Sequence, residues 1–183
     1  MAHITVPEGV PGILGPMMRY PETAQALNAL AQTLLRGESS LLEAERELIA
    51  AFVSRLNDCT FCCNSHAATS RYLFGEQQGV VDSVLDDIFS APISERAQAL
   101  LAIAAKVQQG GRHVEDADVA RARAAGADDR AIHDTVLIAA AFCMFNRYVD
   151  GLATWAPQEP SAYEAIGARL GAHGYVGSVS GTA

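Results

Sequence analysis

Residues 57–66 read NDCTFCCNSH and hold three of the four cysteines of the chain. Asn57 and Asp58 interrupt the helical spacing of the apolar residues before them, and Asp58 is suited to cap a new helix. Gly75 closes the helical pattern that follows. The stretch therefore predicts a helical hairpin, with its turn at Asn57 and Asp58 and the cysteines at the start of its second helix.

The helical spacing of apolar residues, with many alanines, recurs along the rest of the chain. No segment alternates apolar and polar residues as a half-buried strand does. The predicted fold class is therefore all-α. The predicted helices cover 22–35, 42–56, 59–74, 80–89, 94–109, 114–124, 130–154 and 161–170. We expect an irregular N-terminal arm over 1–20, one helical domain over 21–170, and a flexible tail over 171–183.

Several helix starts carry a side chain that accepts hydrogen bonds from free backbone N–H groups. Ser40 is predicted to cap the helix over 42–56, with Glu43 completing a capping box. Ser94 is predicted to open the helix over 94–109. Asp128 is predicted to cap the long helix that follows it.

The composition is that of an ordinary globular protein. The 183 residues are 50% hydrophobic and 19% charged, with 13 basic and 21 acidic residues and a formal net charge of −8. An acidic surface repels phosphate backbones, so nucleic-acid binding is not expected. The longest apolar run, 136–145, is far shorter than the about 20 residues of a membrane span, so no membrane segment is expected. No segment resembles a secretory leader, which indicates the cytoplasm, where cysteines stay reduced.

Cys59 and Cys62 form a C-x-x-C pair at the predicted start of a helix. Residues three apart on a helix share a face, so the two sulfurs are expected to meet. The free N–H groups and partial positive charge of a helix N-terminus favour thiolate over thiol. Such thiols have pKa values of about 3.5–7. The pair is therefore predicted to be a reactive dithiol.

His66 and Glu47 are the candidate acid–base partners of this pair. His66 lies four residues after Cys62, one helical turn away, where an imidazole accepts a thiol proton. Glu47 lies twelve residues before Cys59 on the preceding helix, and the hairpin would turn it toward the same place. The four residues together suit thiol–disulfide redox chemistry, in which one thiol is oxidised to a sulfenic acid and the other forms a disulfide with it.

Two other interpretations of the cysteines stay open. Cys59, Cys62 and His66, with Glu47 or Cys63, would supply four ligands to zinc in a non-enzymatic zinc-binding or redox-sensing protein. Structural zinc sites usually draw on two separated ligand pairs, and the sequence has one pair, so neither a metal nor a cofactor is predicted. Alternatively, the cysteines are inert in the core of a helical assembly module. Cys63 and Cys143 are predicted to be core residues in every case.

The spacing E-x(11)-C-x-x-C-x-x-x-H, from Glu47 to His66, resembles the core motif of the alkylhydroperoxidase D-like proteins. These proteins belong to the carboxymuconolactone decarboxylase superfamily. The later stretch 146–152, which reads NRYVDGL, looks like the peroxidase-related branch of that superfamily. The resemblance covers most of 20–155. The decarboxylase branch usually lacks the cysteine pair, so a decarboxylase is not favoured.

The resemblance implies an all-helical bundle of hairpins, packed in a homo-oligomer, with thiol peroxidase activity. It implies that Cys62 attacks a hydroperoxide substrate and that Cys59 then forms the disulfide. His66 and Glu47 would belong to the proton relay, and an unidentified dithiol would be the reductant. One position departs from the pattern: Phe61 stands where the best-characterised members carry a histidine, so one member of their relay is missing.

Three polar residues near the end of the long helix, Asn146, Arg147 and Asp150, have two possible roles. Residues four apart near a helix end pair with each other or with helix termini. In the second role they form a wall of the site. A guanidinium of Arg147 that pointed inward would then lower the pKa of Cys62. The apolar residues of the N-terminal arm are expected to wrap a neighbouring subunit.

Overall fold

The computed structural model describes residues 1–176, and within this range it is all-helical, with no strand. Two short 3₁₀ turns, Gly75–Gln77 and Gly111–His113, lie between the α-helices. The helices are α1 Leu14–Arg19, α2 Pro21–Arg36, α3 Glu43–Leu56, α4 Thr60–Phe74, α5 Gly79–Asp86, α6 Glu95–Gln109, α7 Asp116–Ala124, α8 Asp129–Gly151 and α9 Pro160–His173. The predicted fold class is confirmed.

Helix α3 is the centre of the bundle, with ten of its fourteen residues buried. It pairs with α4 to form the predicted hairpin, and it also packs against α6 and α8. The main core lies between these helices and is built mostly from alanine, leucine, isoleucine and phenylalanine side chains. Because polar positions in the middle of α3 also face other helices, the carboxylate of Glu47 is removed from water.

Helix α9 packs against the outer side of α4. A Cβ at Gly167 of α9 would lie 2.6 Å from the backbone carbon of Ala68 on α4. The two helices therefore approach more closely than any larger residue would allow. This close packing brings the C-terminal end of the described chain next to the helical hairpin.

Two predicted caps are confirmed and two are wrong. The Oγ of Ser94 accepts from the N–H of Ala97, and a carboxylate oxygen of Asp128 accepts from the N–H of Ala131. Ser40 instead donates to Asp128, and the N-cap residue of α3 is Leu42, two residues after Ser40. Asp58 has a φ of 57° and ends α3, while Cys59 occupies the N-cap position of α4. Asp58 thus adopts the left-handed conformation that terminates helices.

The N-terminal arm lies against its own chain. Helix α1 occupies its second half, so the arm is less irregular than expected. The N–H of Gly12 donates to the carbonyl of Trp155. Gly12 has a φ of +54°, and a Cβ there would lie 2.1 Å from the ring of Phe61. The arm therefore covers the start of α4, and its packing on a neighbouring subunit stays a prediction.

The end of the chain differs from the expected boundary at residue 170. Helix α9 continues to His173, and residues 174–176 follow it. The remaining part of the expected flexible tail, 177–183, lies outside the described residues. Between residues 1 and 176, no helix has the length and apolar character needed to cross a membrane.

Candidate active site

The two cysteines of the C-x-x-C pair lie at the start of α4. Cys59 is its N-cap residue, and Cys62 lies in its first turn. The N–H of Cys59 donates to the carbonyl of Ser54 near the end of α3, which fixes the turn of the hairpin. Cys59 is 1% exposed and Cys62 is 3% exposed. Both are free thiols in the core of the protein, within reach of one another.

The hairpin brings Glu47 and His66 together. The Nδ1 atom of His66 lies 2.6 Å from the Oε2 atom of Glu47. Glu47 is fully buried in the middle of α3, and His66 lies one turn beyond Cys62 on α4. With its Nδ1 hydrogen directed to the carboxylate, a neutral imidazole carries its free lone pair on Nε2. The pair therefore defines which nitrogen of His66 is able to accept a proton.

Two residues that the sequence did not indicate complete this group. The Nη2 atom of Arg36 lies 2.7 Å from the Oε1 atom of Glu47. The hydroxyl of Tyr175 donates to the same oxygen over 2.6 Å. The Tyr175 ring stacks on the His66 ring, with 6.2 Å between centroids and 16° between planes. We call Arg36, Glu47, His66 and Tyr175 the carboxylate cluster.

The carboxylate cluster holds Glu47 in its ionised form. Burial alone raises the pKa of this carboxyl, but His66, Arg36 and the Tyr175 hydroxyl together bring it below its ordinary value. The pKa of Tyr175 lies well above its ordinary value because of desolvation and the neighbouring negative charge of Glu47. The phenol therefore stays protonated and serves as a hydrogen-bond donor.

The expectation of a low pKa for the cysteine pair is wrong for Cys62. A hydrogen bond with Cys59, burial and the charge of Cys59 all raise the pKa of the Cys62 thiol well above its usual value. Asn146 lowers it, and Asp150 raises it further. The partial charge of a helix N-terminus is a small effect beside the desolvation of a buried thiolate. Cys62 is therefore a protonated thiol at neutral pH and needs a base to react.

The three polar residues near the end of α8 separate in the structure. Asn146 is 1% exposed and lies beside Cys62. Arg147 is exposed, and its guanidinium donates to the carbonyl of Cys143 one turn earlier. Asp150 is exposed as well. Asn146 is therefore the one of the three that is buried near Cys62, although it is not among the residues that line the cavity there.

An apolar cavity of about 320 Å³ opens beside Cys62. Cys62, His66 and Tyr175 are among the residues of its wall. Most of the other lining side chains are apolar and come from the N-terminal arm, α1, α8 and α9: Val10, Ile13, Leu14, Met17, Met18, Phe142, Phe145, Ile166 and Leu170. Phe61 lines the cavity too, next to Tyr163 at 6.3 Å between ring centroids. The reactive groups thus face an apolar space.

The other two cysteines lie apart from this cavity wall. Cys63 is buried, and burial raises the pKa of its thiol. Cys143 is half-buried against the main core and accepts a hydrogen bond from the amide of Asn57. In the part of the chain that the structure describes, no three His, Cys, Asp or Glu side chains are arranged to hold a metal ion.

The all-helical fold agrees with the resemblance to the alkylhydroperoxidase D-like proteins, and comparisons with known proteins identify the family. Residues 21–86 match the carboxymuconolactone decarboxylase family. A similar structure is an uncharacterized peroxidase-related protein from Silicibacter sp. TM1040. It is 31% identical, the match covers 85% of this chain and 79% of that chain, and the TM-score is 0.75. The chain therefore belongs to the carboxymuconolactone decarboxylase family, in its peroxidase-related branch.

Two further structures are similar to this chain. One is an alkylhydroperoxidase D core, an uncharacterized peroxidase-related protein from Ralstonia eutropha, with 26% identity over 86% of this chain and 81% of that chain and a TM-score of 0.76. The other is a protein of unknown function from Agrobacterium tumefaciens, with 23% identity over 81% of this chain and 99% of that chain and a TM-score of 0.67. The latter shows the fold alone. No protein of curated function matches the chain.

Proposed function

We propose that the protein is a cytoplasmic thiol peroxidase that reduces hydroperoxides through a dithiol–disulfide cycle of Cys59 and Cys62. The observation that carries the proposal is the position of Cys62 in the wall of the apolar cavity with His66, whose Nδ1 atom is held by Glu47. A nucleophile, a base and space for a substrate meet at one place. Membership of the peroxidase-related branch supports the same activity.

The first step is the attack of Cys62 on the hydroperoxide. The Nε2 atom of His66 accepts the thiol proton, and the charge of Glu47 stabilises the imidazolium. The thiolate sulfur attacks the terminal oxygen of the hydroperoxide, so an S–O bond forms and the O–O bond breaks. The leaving alkoxide takes the proton from His66 and departs as an alcohol. Cys62 is then a sulfenic acid, oxidised by two electrons.

The second step closes the disulfide and the third opens it. The Cys59 sulfur attacks the sulfur of the Cys62 sulfenic acid, an S–S bond forms, and the hydroxyl leaves as water with the Cys59 proton. A dithiol reductant then reduces this disulfide by thiol–disulfide exchange and is itself oxidised to a disulfide. Burial of both sulfurs at one end of α4 favours this closure over reaction with outside thiols.

The cavity favours a hydroperoxide that carries an organic group. Its volume of about 320 Å³ is many times that of a water-sized peroxide, and its lining is mostly apolar. Transfer of an apolar group from water into such a space is favourable by about 25 cal/mol per Å² of buried surface. Phe61, at the position of the family histidine, adds to this apolar wall. We therefore expect cumene hydroperoxide to react faster than hydrogen peroxide.

The test is a trapping experiment on the fully reduced protein. One equivalent of cumene hydroperoxide is added, free thiols are alkylated under denaturing conditions, and the peptides are mapped by mass spectrometry. We expect rapid loss of two alkylatable thiols and a disulfide between Cys59 and Cys62. The Cys143→Ser variant is the matched control and should give the same disulfide, because Cys143 lies away from the cavity.

Four thiols that stay alkylatable after minutes of exposure would contradict the proposal. A disulfide that includes Cys63 in place of Cys59 would contradict the assignment of the second cysteine. Stoichiometric zinc in protein purified without chelator, together with unreactive thiols, would favour the zinc-binding alternative instead.

A further inference from the structure

A chain of hydrogen-bonded polar side chains runs from the surface of α6 to the side of Cys62. It passes through Gln108, Asn57, Asn146 and Ser54, and we call these four residues the amide chain. The motif from Glu47 to His66 and the three proposed reaction steps assign no role to these residues. Its innermost members are nearly inaccessible to solvent, with Asn146 at 1% and Ser54 at 0% exposure. Since buried polar groups are costly unless satisfied, the direction of each hydrogen bond carries information.

The outer end of the amide chain fixes the direction of its bonds. The Nε2 atom of Gln108 lies 3.3 Å from the carbonyl oxygen of Leu56. A carbonyl oxygen only accepts hydrogen bonds. The same nitrogen therefore donates to Oδ1 of Asn57 over 2.9 Å. This leaves Nδ2 of Asn57 to donate to Oδ1 of Asn146 over 2.8 Å. The oxygen of the Asn146 amide thus points to Asn57, and its nitrogen points the other way.

The inner end gives the same direction independently. The hydroxyl hydrogen of Ser54 is used in a 2.8 Å bond to the carbonyl of Ala50. The Ser54 oxygen must therefore accept, and it does so from Nδ2 of Asn146 over 3.0 Å. An amide nitrogen carries two hydrogens, and this bond uses one of them. The second hydrogen is not used by Ser54. Val149, one turn after Asn146 on α8, packs in one cluster with Cys59 and Cys62, so this face of α8 places the Asn146 amide beside the two sulfurs.

We propose that Asn146 is a further catalytic residue, whose second amide hydrogen donates to the sulfur of Cys62 and stabilises the thiolate that attacks the substrate. The inference rests on the proposed function for its place in catalysis. The thiolate sulfur is an acceptor, so a donor whose direction is fixed by partners on both sides stabilises it without reorganisation. The surrounding protein is apolar, which strengthens the bond.

The charged residues near Asn146 on α8 do not stabilise a thiolate at Cys62, which makes the neutral Asn146 donor important. The guanidinium of Arg147, the basic residue next to Asn146, donates to a backbone carbonyl and is exposed to solvent. Asp150 and burial both oppose a negative charge on Cys62, whereas Asn146 favours it. An amide neither gains nor loses a proton, so Asn146 does not compete with His66 for the proton of Cys62.

The experiment measures the rate at which iodoacetamide alkylates Cys62 between pH 7 and pH 10, with the modified cysteine located by mass spectrometry. The variants are Asn146→Ala and Asn146→Asp, and the matched control is Asn64→Ala, which removes an exposed asparagine from α4. We expect the Cys62 rate to fall about tenfold in Asn146→Ala, equivalent to a shift of about one pH unit. Asn146→Asp should be slower still, because a carboxylate has no hydrogen to donate and adds negative charge. Asn64→Ala should keep the wild-type rate.

A wild-type rate in both Asn146 variants, with an unchanged circular dichroism spectrum, would overturn the inference. A second measurement needs no variant. In the ¹⁵N-labelled wild-type protein, the side-chain amide protons of Asn146 should shift with the ionisation of Cys62. Side-chain resonances of Asn146 that stay constant while Cys62 ionises would likewise overturn it.

The alkylation reaction uses no hydroperoxide, which separates this inference from the proposed function. If the wild-type protein consumes no hydroperoxide but Asn146→Ala slows alkylation, the peroxidase assignment fails and Asn146 still stabilises the thiolate. If hydroperoxide is consumed and alkylation in both variants matches the wild type, the peroxidase assignment stands and the role of Asn146 fails.

Discussion

Two groups of polar side chains reach the surroundings of Cys62, and they are built in different ways. In the carboxylate cluster, the charge of the fully buried Glu47 is balanced by its contacts with Arg36 and His66. Removing one of these groups leaves a buried charge without a partner. The amide chain is neutral, and both of its ends are anchored on backbone carbonyls. A buried charge that loses its partner is far more costly than a neutral group that loses one hydrogen bond. Stability should therefore depend strongly on each residue of the carboxylate cluster, which is suited to moving protons. It should depend less on each residue of the amide chain, which is suited to holding one donor in place.

The largest expected effect comes from Glu47→Gln, which keeps the shape of the side chain but removes its charge. Arg36, whose side chain is 7% exposed, then has no carboxylate at Oε1. We expect the free energy of unfolding to fall by about 3–5 kcal/mol, as measured for broken buried ion pairs. Chemical denaturation monitored by circular dichroism measures this change. A loss below about 1 kcal/mol would show that the cluster is no more sensitive than a surface ion pair.

The pH dependence of stability sharpens the same comparison. The pKa of Glu47 in the folded protein is below its ordinary value of 4.5. Its contribution to stability is therefore fully present above that value and is lost as the pH falls through the lower, folded-state pKa. Wild-type protein should lose stability more steeply on acidification than Glu47→Gln. Parallel stability curves for the two proteins below pH 4.5 would contradict the assigned direction.

The next effect concerns the hydroxyl of Tyr175. Tyr175→Phe removes a donor to an ionised carboxylate, and such bonds are worth about 1.5–3 kcal/mol. Tyr163→Phe is the matched control, because the Tyr163 hydroxyl donates to the neutral carbonyl of Pro157. We expect Tyr163→Phe to cost about 1 kcal/mol, less than Tyr175→Phe. The free energy of unfolding of both variants is measured by thermal and chemical unfolding. Equal losses in Tyr175→Phe and Tyr163→Phe would mean that the charge of Glu47 adds nothing to its hydrogen bonds.

The smallest effect is expected in the amide chain. Ser54→Ala removes the acceptor for one Asn146 hydrogen and should cost about 1 kcal/mol. It leaves the Asn57 bond in place, so the amide of Asn146 keeps its direction. The peroxide reaction should stay within about twofold of the wild-type rate. A loss of stability as large as that of Glu47→Gln would remove the contrast between the two groups.

Among the described residues, the sequence predicted every α-helix except α1, and it predicted one half of the site. The helical spacing and the caps at Ser94 and Asp128 placed most helix bounds within a few residues. The approach of Glu47 to His66 followed from the hairpin, because both residues lie at a fixed distance from its turn. Local information is sufficient for features that depend on one or two neighbouring helices.

The other half depended on packing between distant parts of the chain. Tyr175 lies 128 positions from Glu47, in a glycine-rich segment that resembles a frayed end by composition. The pKa of Cys62 was expected to be low from its place at a helix N-terminus. The opposite direction comes from the hydrogen bond with Cys59 and from burial, and burial is set by α8, α9 and the N-terminal arm together. Neither the docking of Tyr175 nor the depth of Cys62 is a property of local spacing.

The role of Cys62 as the nucleophile is tested most directly by the amount of hydroperoxide that variants lacking one cysteine consume. Cys59→Ser should consume one equivalent of cumene hydroperoxide per chain and leave a sulfenic acid on Cys62, trapped with dimedone and located by mass spectrometry. Cys62→Ser should consume none. Consumption by Cys62→Ser equal to that of the wild-type protein, or dimedone on a cysteine other than Cys62, would contradict the assignment of Cys62 as the nucleophile.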